Sequence, residues 1–153
     1  MPAAGDRAGA SGAVLGDAQR ALRNRFDDFQ KAFERRDEAA ARVAILDFHA
    51  RLREWTAALE SILLPALAAA SLPRRDLQRE LSLDFVQLKE LTRYLIEQIS
   101  DRAALSDILG LIQNLDRRLF AHASQMETVY LGAAITVLTP EGWSSLEKAR
   151  PDP

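Results

Sequence analysis

A chain of 153 residues is the size of a single domain and is long enough to bury a core without disulfide or metal staples. Its hydrophobic share of 48%, charged share of 27% and net charge of -2 are those of an ordinary globular protein and exclude a strongly basic footprint for nucleic acid. Cysteine is absent, which excludes disulfides, thiolate metal sites and a thiol nucleophile.

Every basic residue except Lys31, Lys89 and Lys148 is an arginine, and the cations alternate with acids along each segment, as on a solvated helix surface. No apolar run approaches the ~18–20 residues of a membrane span. The N-terminus carries Asp6 and no basic start before an apolar stretch, unlike a secretory signal. These features predict a cytoplasmic protein with no membrane or nucleic-acid partner.

Residues 1–13 are mostly Gly, Ala and Ser without a period, and a disordered tail is expected there, with one bundle domain over 14–150. The first helix is predicted over about 17–35, capped by Asp17, with Leu15, Ala18, Leu22, Phe26, Phe29 and Phe33 on one face. A second follows over about 38–68, where Ile45, Phe48, Leu52, Trp55, Leu59, Ile62 and Ala66 alternate spacings of three and four. That average of about 3.5 is the seam of an antiparallel bundle with a shallow left-handed twist. Pro65 is expected to kink or loosen its last turn.

A third helix is predicted over about 74–99, with Leu81, Phe85, Leu88, Thr92, Leu95 and Ile99 inward. Ser100 and Asp101 are candidate caps for a fourth over about 102–133. The fourth stripe reads Leu105, Ile108, Ile112, Leu115, Leu119, His122, Met126, Val129 and Ala133, so one histidine sits in an apolar row. Thr139 and Pro140 then form a strong start signal for a short fifth helix to about 150, laying Trp143 and Leu146 across one end of the bundle. Four long amphipathic helices with short connections predict an all-α, up-down-up-down antiparallel four-helix bundle.

Such bundles hold metals through inward side chains at fixed spacings. Glu-x-x-His is absent, since Leu46 precedes His49 and Leu119 precedes His122 by three; His-Glu-x-x-His is absent too. The segments Trp55–Leu67 (WTAALESILLPAL), His122–Tyr130 (HASQMETVY) and Leu138–Trp143 (LTPEGW), in this order, resemble phrases of the hemerythrin-like, or HHE cation-binding, domain family. The resemblance covers about 17–150 and includes two similar helical hairpins in tandem. It implies iron ligands, which fall on Phe26, Trp55, Leu59, Phe85 (after Asp84), His122 and Met126. Of these positions only His122 keeps a ligand; a shift of one register recovers Glu60 and Glu127 and no further histidine.

Unpaired imidazoles and carboxylates in a core cost several kcal/mol, whereas large apolar side chains there contribute roughly 1.5–3 kcal/mol each. The expectation is therefore a non-enzymatic, degenerate member with no cofactor, acting through a protein partner or as a homo-oligomer. Leu91, Tyr94, Leu109 and Leu111, off the main stripes, are the candidate partner surface, unless the tail or the fifth helix covers them. The alternative is a metal-, oxygen- or haem-binding protein, with non-haem iron as cofactor, that uses His122 with Glu127 or His49; Glu60 completes the candidate set. His122 itself is expected to bond Ser124, Tyr94 or a backbone carbonyl. Paired carboxylates for acid–base catalysis would need a pocket.

Overall fold

The structure is a computed structural model and describes residues 4–74 and 76–153, the first five of these by their backbone. The elements are α1 (Ala4–Glu34), α2 (Glu38–Ala69), α3 (Leu77–Ser100), α4 (Leu105–Gln125), a π turn (Met126–Tyr130), α5 (Leu131–Val137) and α6 (Pro140–Ala149). The residues flanking the π turn keep right-handed helical angles, so α4, the π turn and α5 form one rod. Consecutive helices pack as neighbours and the fourth rod returns to α1, which gives the expected up-down-up-down bundle with an extra C-terminal helix.

Each interface between adjacent helices carries a polar tie. Arg25 pairs with Asp47 at 3.0 Å between α1 and α2, and Lys89 with Glu60 at 2.9 Å between α2 and α3. Arg118 donates to Gln87 at 2.7 Å between α3 and α4, and Arg23 meets Asp116 at 2.6 Å between α1 and α4. Pairs this close to solvent contribute at most about 1 kcal/mol each. Their effect is to fix the rotation of each helix about its axis, while the apolar core supplies the stability.

That core includes the fully buried Phe26, Phe29, Phe48, Trp55, Leu59, Phe85 and Leu88. Phe26 stands against Phe48 with ring centroids 5.3 Å apart and against Phe29 at 5.8 Å. The predicted stripes hold in α1 and α3, with Phe33 and Ile99 half-buried at their ends. In α2 the stripe holds from Ile45 to Leu59. Beyond it Leu63 and Leu67 are buried, and Ile62 and Ala66 only partly so. A strict seven-residue repeat slips by about 20° per heptad against a straight helix, so by the third heptad the inward place has moved one residue on. The helix runs through Pro65, whose exposed ring sits four residues before the end.

The predicted disordered tail differs most. From Ala4 the chain is helical, and Ser11, Val14 and Leu15 are buried. Alanines at 4, 8, 10 and 13 favour helix, and the first turns find a surface to dock on: a Cβ added at Gly12 would meet Leu131 of α5 at 3.5 Å. Residues 1–3 of the expected tail lie outside the described residues. Asp17, expected as a cap, is consequently inside α1, where it pairs with Arg150 at 3.0 Å.

Two hairpin turns close in the same way. Asp37 N–H donates to Ala32 and Arg36 N–H to Phe33 after α1; Ala103 N–H donates to Gln98 and Arg102 N–H to Ile99 after α3. These are Schellman closures with an arginine where glycine is usual, at φ 59° for Arg36 and 52° for Arg102. Ser100 and Asp101 thus finish α3 instead of capping α4, whose cap position is Ala104, with no side-chain bond. Asp37 caps α2 by accepting from Ala40 N–H at 3.1 Å. Thr139 caps α6 by accepting from Gly142 N–H at 3.1 Å, as its sequence signal predicts.

Leu146 of α6 is fully buried and Trp143 half-buried. The helix lies on α2 and α1, and Arg25 reaches back to the Asp152 carbonyl, so the C-terminal segment runs along α1 instead of crossing the bundle end. Since α6 takes that side, Tyr94 and Leu109 stay exposed.

A non-glycine residue in the left-handed region costs roughly 1–2 kcal/mol, partly offset by the extra freedom glycine brings to the unfolded chain. Arg102→Gly is therefore expected to raise the free energy of unfolding in urea by about 0.5–1 kcal/mol. A loss on this substitution would show that the arginine side chain itself holds the turn.

Candidate functional site

The positions at which the family resemblance implies ligands lie at the centre of the bundle. Phe26 comes from α1, Trp55 and Leu59 from α2, Phe85 from α3 and Met126 from the π turn, and all five have zero exposure. His122, at 3%, is the exception in polarity and not in burial. Its Nδ1 bonds to Asp84 Oδ2, and Phe85 meets the imidazole edge-on with centroids 5.9 Å apart. Neither of the side chains expected to bond His122, Ser124 and Tyr94, forms a bond with it.

Asp84 was legible only as the acid before Phe85; nothing in local spacing ties it to a residue 38 positions later. Its side chain is 19% exposed and lines a groove of about 470 Å³ between α3 and the fourth rod, with Arg74, Glu80, Gln87, Arg118 and Tyr130. Arg74 and Glu80 pair at 2.7 Å at its edge. Tyr130 is buried beside them, and burial, then the charges of Glu80 and Asp84, hold its hydroxyl above the usual value of 10.0.

Tyr130 reaches this place through the π turn. The predicted stripe continued through Val129 and Ala133, yet the residues buried after Met126 are Tyr130 and Ala134. A π turn closes i to i+5 bonds and inserts one residue, which advances every later side chain by one place. At the other end Leu105 is 59% exposed, because it lies in the first turn of α4 at the open end of the bundle.

The remaining candidates point elsewhere. Glu60 is paired with Lys89 on the α2–α3 surface. Glu127 is exposed and lines a cleft between α1 and α4. His49 is half-buried on α2, and burial, then Arg53 and Arg93, hold it below the usual 6.5. Arg93 and Asp84 are nine residues apart on α3, which at ~1.5 Å per residue separates the two histidines' surroundings by about 14 Å along the bundle. His49 and His122 therefore do not face one another on a level, as a shared haem would need. Among the described residues no group of three or more His, Asp or Glu side chains is placed to hold a metal ion.

An aspartate that accepts from Nδ1–H fixes the tautomer and orientation of the ring, as in proton-accepting and metal-ligating histidines. Here the ring is walled by the core, and solvent reaches the pair through the Asp84 side. At the bundle centre the Trp55 indole N–H is buried without a hydrogen-bond partner. Leaving it so costs roughly 1–3 kcal/mol, which the packing of a large ring at the bundle centre offsets.

No protein-family model matches the chain, and no curated protein and no solved structure matches it.

His122→Leu leaves the Asp84 carboxylate without its partner and is expected to cost about 1–3 kcal/mol, while Asp84→Leu/His122→Leu loses less than the two single changes added together. Urea unfolding of the four proteins gives the cycle, and a His122→Leu variant as stable as the parent would show that the pair contributes nothing. His49 binds its proton less readily folded than unfolded. Its contribution is therefore complete above the unfolded value of about 6.5 and is lost as pH falls through the lower folded one. Stability should decline from pH 7 to pH 5, and less steeply in His49→Gln.

Proposed function

We propose that the chain is a hemerythrin-like bundle that assembles no di-iron centre and works by binding, not by catalysis. The observation that carries this reading is the burial of Phe26, Trp55, Leu59, Phe85 and Met126 where the family places ligands. A close-packed core of this kind leaves no room for a metal pair or for the oxygen species such a pair would hold. The pairing of His122 with Asp84 supports the same descent, because a ligating histidine is ordinarily held through its second nitrogen by a carboxylate. In this chain the carboxylate and the ring satisfy each other.

Binding would use the surface. Leu105 and Leu109 border a recess of about 390 Å³ with Phe33 and Ala41 at the open end of the bundle, and Tyr94 stands exposed on α3. A protein partner or a second copy of the chain is the reading these residues favour.

The second reading, a metal, oxygen or haem protein built on His122, draws support from that same Asp-held imidazole. One preparation separates the two. Protein purified aerobically is expected to show no visible absorption and well under one iron or zinc per chain. Near-stoichiometric iron with an oxo-bridge or haem band would establish the second reading. Light scattering after size exclusion then tests association: a concentration-independent monomer would count against the homo-oligomer.

A further inference from the structure

The cleft between α1 and the fourth rod is a different place from the bundle centre, and its chemistry does not depend on the ancestry of the fold. It encloses about 580 Å³, within the range of small-molecule sites. Gly16, Gln19, Leu22 and Arg23 line it from α1, and Asp116, Leu119, Phe120 and Ala123 line it from α4, with Glu127 at one end. Three observations set it apart from an ordinary surface furrow.

First, Gln19 is 8% exposed, and its amide Nε2 is buried with no hydrogen-bond partner. A buried donor in that state calls for an acceptor oxygen. Secondly, the wall is apolar and includes Phe120, which is 74% exposed at the lip. A large aromatic ring left in water offers contact area to an apolar body. Thirdly, the cations outnumber the anions. Arg20, Arg23 and Arg117 face Asp116 and Glu127, and Asp116 is already engaged with Arg23 at 2.6 Å. Arg117 forms no ion pair among the described residues, and Arg20 has only a loose one, 3.6 Å from Asp17.

We propose that this cleft binds a small amphipathic carboxylate. The carboxylate accepts from the Gln19 amide and lies in the field of Arg20 and Arg117, and the hydrocarbon body lies along Leu22, Leu119, Ala123 and Phe120. A planar carboxylate suits arginine through paired N–H bonds. Glu127, at one end of the cleft, repels a carboxylate and so orients the ligand with its charged end away from that end.

Gly16 makes the test clean. A Cβ there would meet nothing closer than Arg20 Nη2 at 3.8 Å, so a side chain at 16 enters the cleft without striking the backbone. Glycine is also the poorer helix former at a mid-helix position, so Gly16→Leu occupies the space without weakening α1. Decanoate is the probe, titrated calorimetrically into the 153-residue chain, with decylamine as the charge control.

Decanoate is expected to bind at one site per chain and to raise the melting temperature. Gly16→Leu should weaken binding at least tenfold while melting no lower than the parent. Gln19→Leu, nearly equal in volume, should weaken it about tenfold through the lost donor, and Arg117→Gln several-fold. No saturable decanoate binding at millimolar concentration overturns the proposal. Undiminished binding by Gly16→Leu overturns the location, and decylamine binding as tightly as decanoate overturns the charge assignment.

Discussion

At the middle of the bundle Phe26 and Phe48 meet at 5.3 Å, with Trp55 and Phe85 as deeply buried beside them. A four-helix bundle has one central volume to fill, and each side chain placed there must either pack or be paired. This chain fills it with rings. The consequence runs outward: the helices are held by dispersion and by removal of apolar area from water, and the polar ties at their edges need only set orientation. Substituting ligands into such a centre would require several coordinated changes, because any one imidazole or carboxylate introduced alone would be an unpaired polar group in a tight core.

The pair of His122 and Asp84 is where that rule is met by pairing. Nδ1 of the ring and Oδ2 of the carboxylate meet across the α3–α4 interface, so the buried imidazole has a hydrogen-bond partner at its core position. The same interface contains the π turn, and the two features belong together. Along α4 the buried positions run 112, 115, 119, 122 and 126, and then 130 and 134. Successive steps of four in a regular helix carry a side chain about 40° further round each time. The extra residue in the π turn cancels that drift and brings Tyr130 back over Asp84 and Glu80. Helical expansions of this kind frequently stand at functional sites, and here the expansion shapes the groove through which solvent reaches Asp84.

The two hairpins show a different economy. Arg36 and Arg102 take the same left-handed turn after α1 and α3, with the same pair of closing bonds. Such agreement between halves accords with a tandem arrangement of similar hairpins. The halves differ in how the next helix begins: α2 starts on the Asp37 cap, and α4 starts on Ala104 with none. The helix that begins with the weaker cap, α4, is also packed more sparsely against α1 than against α3, and the cleft of Gln19 and Phe120 and the recess of Leu105 and Leu109 both open along it. Clefts collect where helix packing is least complete.

Sequence alone determined the class of this protein. Apolar spacing of three and four, the Thr139 cap and short connections specify helices and antiparallel neighbours, because these are local properties of the chain. The central residues Phe26, Phe48, Trp55, Leu59 and Phe85 were readable for the same reason. Tertiary structure decided whatever depends on contacts between distant residues. Asp84 finds His122 only when α3 and α4 lie side by side. Gly12 of α1 comes to lie against Leu131 of α5, a contact that no local composition announces. Periodicity failed at Met126, since a π turn leaves no mark in spacing until the neighbours that require it are in place. The burial of Gln19 without a partner belongs to the same class: a glutamine one step from a stripe reads as surface until the opposing helix covers it.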